Sequence, residues 1–423
     1  MYFAENDKRN WFCQKRFGMF IHWGIYSVGG RHEQELWRYK TPWSKYKTYM
    51  DTFDPVKFDP VKWLDMIQEN NMKYMVITAK HHDGFCMWDT KETSFNIMNT
   101  PYKKDVIGML AEECHKRNFP LQLYYSCVDW HHKAYPNLGR HHEIVTDPAY
   151  HNMEEYMDFL KRQIRELCTN YGRIHGIWWD MNVPQHVDPS VNAMIRELQE
   201  YAVINNRGYS AGDYSTPERN FTDEYLPFAN LTEACDSVGM NSWSYRKDED
   251  YFSVRKLERQ IAMFTSLGGN FLLNAGPGPD GDFPAEAKEK LSVVGKWYGK
   301  TGEALTAAPC PGVIGNKNII CTGGGKTLNL ILLDPLPGET LRLESFTHTP
   351  EKVVLLNTGE EIPWTFEPMS YFISQSPVLR LRKIPVDRMN GEIPVIQLTF
   401  SEKLIERKKL ENSENSSGSQ KDL

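Results

Sequence analysis

The chain has 423 residues, 40% of them hydrophobic and 25% charged, with a formal net charge of −6. That length supports two or three domains, and the ordinary composition is that of a globular protein. The acidic balance leaves no basic footprint for nucleic acid, and no run approaches the roughly 20 apolar residues that span a bilayer, so neither nucleic acid nor membrane is expected as a partner.

Residues 1–11 are polar and lack the apolar core of a signal peptide, which is the expectation for a cytosolic protein or for a mature secreted or periplasmic form. Short apolar runs then alternate with longer amphipathic segments. Strands are predicted at Met19–Trp23, Tyr74–Ala79, Leu121–Tyr125, Gly176–Trp179, Ala202–Ile204 and Asn270–Leu273, with a weaker one at Ser237–Met240. Their apolarity is continuous rather than alternating, as in strands buried on both faces. Asp59-Pro60, Asp147-Pro148 and Asp188-Pro189 each place an N-cap acceptor before a proline at the first helical turn. Asp105 opens a further helix, and Tyr251–Leu267 forms another that Gly268-Gly269 stops. This alternation predicts a (β/α) barrel of the TIM type with an irregular or missing helix.

Near Thr301 the texture changes. Short runs rich in Val, Ile, Leu and Thr are broken by Gly323-Gly324-Gly325, Pro335-Leu336-Pro337-Gly338 and Asn357-Thr358-Gly359, a pattern that predicts an antiparallel β-sandwich. The expected division is a catalytic barrel over 1–305, a sandwich over 306–400 and a low-complexity tail over 401–423. Eight cysteines are scattered without a C-x-x-C pair, so zinc-ribbon spacing is absent and small core residues are expected.

The apolar runs end in reactive polar groups. The first delivers His22, the second His81 and His82, the third Tyr124, the fourth Trp178 and Asp180, and the fifth Arg207. In a parallel barrel the strand C-termini form the site face. Each His alone is as readily a satisfied core group, and His131-His132 and His141-His142 read as solvated loop residues. Adjacent residues on a strand point to opposite faces, so His81-His82 makes a poor metal pair but two good hydrogen-bonding positions. An aspartate ending an apolar run, directly after two indoles, is costly to bury without a purpose. Arginine near it lowers its pKa and keeps a nucleophile ionised. Two glutamates follow in a predicted loop, Glu218 and Glu233, and either supplies the second carboxylate that a retaining glycosidase requires. Aromatic content of 13% suits the stacking of sugar CH faces, though a large core explains it equally.

Together the strings FGMFIHWG, KHHDGF, LYYS with a following DW, WWD, NNR, TPE, SWSY and GGNFLLNAGPGPDG resemble the α-L-fucosidases of glycoside hydrolase family 29 over about Trp11 to Thr301. The resemblance implies an exo-acting retaining hydrolase of fucosylated glycans with no metal or organic cofactor, built as a barrel with irregular helices and a β-sandwich. It implies Asp180 as nucleophile and His22, His81, His82, Tyr124, Trp178 and Arg207 as the fucose-binding shell, with Trp243 against the fucose methyl. Glu218 and Glu233 each match a placement of the acid/base, and Glu218 is favoured. The family's Glu-Trp-Tyr reads Glu35-Leu36-Trp37 here, which offers Glu35 and Trp37 as further substrate contacts. The readings left beside it are a silent fucose-binding protein, a glycosidase for a related sugar such as L-galactose, and a metal-dependent hydrolase using the His pairs.

Overall fold

The computed structural model describes residues 3–219, 225–311, 319–344, 346, 348–367, 377–389 and 391–403. Seven strands form one wholly parallel curled sheet: β1 (Phe17–Ile21), β2 (Met75–Lys80), β3 (Leu121–Ser126), β4 (Gly176–Asp180), β5 (Val203–Ile204), β6 (Glu233–Ser237) and β7 (Asn270–Ala275). Their order is β5-β4-β3-β2-β1-β7-β6. Every residue in these strands is buried except Asp180, which is half-buried. Continuous apolarity therefore meant burial on both faces, as expected. Alternate residues sort into two cores. Phe20, Val76, Trp178, Cys235 and Leu272 fill the barrel, while Met19, Ile77, Ile177, Trp179 and Phe271 pack outward in the larger core.

The sheet's two edges, β5 and β6, do not pair directly. The segment 214–218 runs between them, joined by isolated parallel bridges at Asn205–Tyr214, Ser215–Thr232 and Glu218–Cys235. This seam stands where an eighth strand would stand. No helix separates β5 from β6 among the described residues.

The helix starts behave largely as the caps predict. Asp59, Asp105 and Asp188 accept backbone N–H groups at the starts of helices Pro60–Glu69, Val106–Lys116 and Pro189–Leu198. Asp147-Pro148 opens only a single 3-10 turn, Pro148–Tyr150; the long helix Met153–Thr169 begins at a different cap, Asn152. The helix expected from Tyr251 spans Val254–Ser266 and is capped by Ser253. Two strand expectations are corrected. The first strand ends at Ile21, which leaves His22 beyond it, and the weak Ser237–Met240 strand lies earlier, at Glu233–Ser237. Glu233 is thus a strand residue and not a loop acid.

Eight further strands build two antiparallel sheets. β10 (Leu341–Glu344), β14 (Val378–Leu381) and β13 (Trp364–Glu367) form one; β12 (Glu360–Glu361), β11 (Lys352–Leu355), β15 (Val395–Thr399), β9 (Thr327–Leu332) and β8 (Ile319–Gly324) form the other. Leu328, Leu330, Leu343, Leu379, Leu381 and Leu398 share their core. None of the eight cysteines is paired. Most of the expected tail, residues 404–423, lies outside the described residues.

Candidate active site

A cavity of about 250 Å³ opens at the C-terminal ends of the strands. Asp180 is its centre. The β3–β4 register sets Tyr124 beside Trp178 and Ser126 beside Asp180. From there the Tyr124 hydroxyl donates to Asp180 Oδ2 at 2.7 Å, and Arg207 Nη1 donates to Oδ1 at 3.1 Å. The same nitrogen donates to Glu218 Oε1 at 2.6 Å. Legs of 3.1 and 2.6 Å from one atom cap the gap between the two carboxylate oxygens at about 5.7 Å. Retaining glycosidases hold their two carboxyl groups about 5–5.5 Å apart.

Arg207 is fixed in turn. Its Nη2 donates to the Thr216 carbonyl at 2.6 Å, and its guanidinium lies 4.9 Å over the Trp178 ring. The residue after each carboxylate, Met181 at φ 60° and Arg219 at φ 52°, has a left-handed backbone that non-glycine residues rarely adopt. Such strain persists where surrounding contacts over-determine it, and functional sites collect it.

The two carboxylates are driven in opposite directions. Burial opposes charge on Asp180, but the Arg207 guanidinium and the Tyr124 hydroxyl outweigh it and hold the pKa below the ordinary value. Burial raises Glu218; Arg207 pulls it back, the Asp180 charge pushes it up, and the net direction is upward. Pushing one carboxyl down and the other up is the separation that acid–base glycoside chemistry needs.

The imidazoles are neutral acceptors. Burial lowers His22, and its Nδ1 lies 2.7 Å from Asn274 Oδ1. Asn274 Nδ2 donates to Ser237 Oγ and the Trp243 carbonyl, which fixes the amide, so His22 Nδ1 carries the proton and Nε2 is left with a lone pair. The same logic holds at His82. Its Nδ1 contacts Ser126 Oγ at 2.6 Å, while Ser126 gives its own proton to the Val128 carbonyl. Burial pushes His82 down to about 4, so its bare Nε2 faces Asp180 Oδ2 at 3.8 Å. His82 stands behind the cavity wall. His81 lines it, stacked on Tyr124 with rings 5.4 Å apart, and its buried Nδ1 has no partner in the protein.

The expected first-loop contacts move by two residues. Glu35 is fully buried away from the cavity, where it accepts from Thr41 and Tyr49. Glu33 lines the cavity instead. Its Oε2 accepts from Ser242 Oγ at 2.8 Å and from the Trp243 and Ser244 amides at 3.2 and 3.1 Å, while its Oε1 receives no hydrogen bond and lies 3.2 Å from His32 Nδ1. Burial works against this charge, but His32, His22 and the donors bring its pKa down to about 2. Glu33 thereby anchors the loop that presents Trp243, whose ring stands 5.3 Å from His22 and carries the Arg219 guanidinium at 4.6 Å. Trp37 does not line the cavity; its ring packs 4.9 Å from His142. His142, expected to be solvated, does line it, with an unpartnered Nδ1. Nothing in the HH doublet marks it, since only the return of its loop brings it back to the mouth.

Glu233 opens β6 and is fully buried. It accepts from the Tyr74 hydroxyl at 2.6 Å and from the Trp178 indole at 3.0 Å, and burial pushes its pKa up to about 7. It does not line the cavity. Among the described residues no cluster of three or more His, Cys, Asp or Glu is arranged to hold a metal ion, and no helix is long and apolar enough to cross a membrane.

A parallel barrel whose strand ends present two bridged carboxylates among imidazoles and indoles is the architecture of a glycoside hydrolase. The chain belongs to the alpha-L-fucosidase family, whose model matches residues 3–303. It is 28% identical to the tissue alpha-L-fucosidase of Homo sapiens over 413 residues, covering 89% of this chain and 87% of that protein. Among solved structures it is similar to alpha-L-fucosidase isoenzyme 1 from Paenibacillus thiaminolyticus, with 28% identity, TM-score 0.82, and coverage of 93% of this chain and 99% of that one. It is also similar to a family 29 alpha-L-fucosidase from Bacteroides thetaiotaomicron trapped as a covalent intermediate with 2-fluoro-fucosyl fluoride, with 27% identity, TM-score 0.76, and coverage of 94% and 97%.

Proposed function

We propose that this chain is a retaining, exo-acting α-L-fucosidase that removes terminal α-L-fucosyl units from oligosaccharides or glycoconjugates by double displacement. Asp180 is the nucleophile and Glu218 the acid/base. The observation that carries this reading is the shared Arg207 nitrogen, which keeps the two carboxylate oxygens no more than about 5.7 Å apart, as a retaining mechanism needs and too close for the roughly 6.5–9.5 Å of an inverting one. The covalent intermediate of the B. thetaiotaomicron relative supports the double displacement.

Asp180 attacks the anomeric carbon while Glu218 gives its proton to the leaving oxygen. Glu218 then takes a proton from water, and that water releases fucose with its configuration retained. Sugar hydroxyls donate to the Nε2 lone pair of His22 and to Glu33 Oε1, which receives no hydrogen bond within the protein, and His81 Nδ1 offers a further contact. Tyr124 and Arg207 orient the nucleophile, with His82 behind it. Trp178 and Trp243 form the aromatic walls, the latter against the sugar's methyl group. Glu33 replaces Glu35 in this scheme, and Glu233 holds Trp178 from beneath.

The test is release of 4-nitrophenol from its α-L-fucoside, with the anomer formed first identified by proton NMR. The expected product is the α-anomer, and Asp180→Ala should abolish turnover while leaving the melting temperature close to wild type. Initial release of the β-anomer, or an active Asp180→Ala variant, would refute the assignment.

A further inference from the structure

A second cleft of about 600 Å³ lies beside the active site and plays no part in the chemistry above. Its floor and rim include Trp43, Trp130, His131, His132 and Tyr150. Trp130 forms the partition: its indole donates to the His142 carbonyl at 2.7 Å, and its amide donates to the His82 carbonyl at 2.7 Å. Since His142 lines the catalytic cavity, the two spaces share this wall.

The chemistry of the cleft suits a neutral saccharide. Tyr150 is 59% exposed, so one face of its ring is open at the rim of the cleft. Lys133 lies 5.6 Å over that ring, and Lys47 lies 5.4 Å over Trp43. Amines, the carboxylates Glu92, Asp147 and Glu155, and the unpartnered buried Nδ1 of His132 offer donors and acceptors of both kinds around the aromatic faces. Mixed charge disfavours a polyanion. Its volume is within the range of small-ligand sites.

We propose that this cleft binds a saccharide segment of the same glycan that carries the scissile fucose. The unit bonded to fucose stays beside Glu218, on the opposite flank, so only units further along the chain cross the mouth and pass over the Trp130–His142 wall. The inference rests on the fucosidase reading and adds a preference for extended or branched glycans.

Three substrates test it: 4-nitrophenyl α-L-fucoside, and a fucosylated trisaccharide and a branched fucosylated hexasaccharide that share one terminal fucosyl linkage. Tyr150→Ala and Lys133→Ala alter exposed side chains outside the catalytic machinery. Losing a ring contact should raise KM for the hexasaccharide about fivefold or more. KM for the aryl fucoside and the trisaccharide should stay within about twofold, because neither reaches the cleft. The defucosylated saccharide, titrated against tryptophan fluorescence, should bind wild type and lose binding in both variants. Equal changes in KM for all three substrates, or none for the hexasaccharide, would overturn the cleft assignment. Absence of aryl-fucoside turnover in the wild type would instead overturn the fucosidase reading.

Discussion

Replacing Glu218 by Gln keeps the side chain's size and removes its transferable proton. Glu218 pairs with Arg207 at 2.6 Å, and its side chain is 38% exposed. A pair that open to water contributes about 0.2–1 kcal/mol, so the variant should melt within a few degrees of wild type. The catalytic loss is larger. A general acid contributes about 10²- to 10⁴-fold, or roughly 3–5 kcal/mol of barrier. That loss should fall on oligosaccharides, whose leaving oxygen needs a proton, and lower their kcat/KM by about that factor. 4-Nitrophenolate departs without one, so kcat/KM for the aryl fucoside should drop by less than about tenfold. Azide, a nucleophile that needs no base, should speed breakdown of the fucosyl-enzyme and yield a fucosyl azide of retained configuration. The assays are initial rates over a series of aryl fucosides, one oligosaccharide, and an azide titration. Equal losses across leaving groups with no azide response would refute Glu218 as the acid; the same signature in Glu233→Gln would move the role there.

The remaining predictions follow from the same charges. The acid limb of kcat/KM against pH reports Asp180, which must be ionised, so activity falls as pH drops through a pKa below the ordinary carboxylate value. The alkaline limb reports Glu218, which must be protonated and so loses activity as pH rises through its raised pKa; the Glu218→Gln profile should lose that limb. Glu33, with a folded pKa of about 2 against an ordinary 4.5, adds stability that is present above the unfolded value and disappears as pH falls toward 2. The difference in unfolding free energy between wild type and Glu33→Gln should therefore shrink by about 3 kcal/mol from neutral to strongly acid pH in denaturant titrations. A constant difference would mean the charge contributes nothing. Glu233→Gln should lower kcat by the same modest factor, about tenfold or less, for good and poor leaving groups, because it disturbs the seating of Trp178 and moves no proton.

Much of this was legible in the residues. Gly176-Ile177-Trp178-Trp179-Asp180 is a buried run ending in a carboxylate, and it became β4 with Asp180 as its half-buried end. Side-chain alternation then sent Trp178 into the barrel and Trp179 outward, where its indole bonds Asn192. Asp59 and Asp188 worked as caps because capping is local. The misses were non-local. Asp147-Pro148 satisfied the same local rule but opened one turn, since Asn152 starts the helix that packs. Glu33 and Glu35 stand two residues apart in sequence; which one meets the cavity depends on the distant Ser242 hydroxyl and the Trp243 and Ser244 amides. His142 reached the site through a loop whose return nothing in its neighbours encodes.

The choice between Glu218 and Glu233 reduces to depth in the barrel. The bridge Glu218–Cys235 fixes how far along the axis the seam carries Glu218. Glu233 lies two residues earlier on β6, and a parallel strand rises about 3.3 Å per residue, so it starts roughly 6–7 Å nearer the barrel's closed end. At that depth its neighbours are Tyr74, which precedes β2, and the underside of Trp178. It does not line the cavity, which is why the proposed acid is Glu218. An acid at Glu218 then depends on a seam held by isolated bridges rather than a continuous ladder. Arg207 compensates, tying that seam through Thr216 and Glu218 to Asp180 on β4. The guanidinium thus tunes Asp180 and sets where Glu218, the proposed proton donor, stands, so removing Arg207 should damage the acid step as well as the attack.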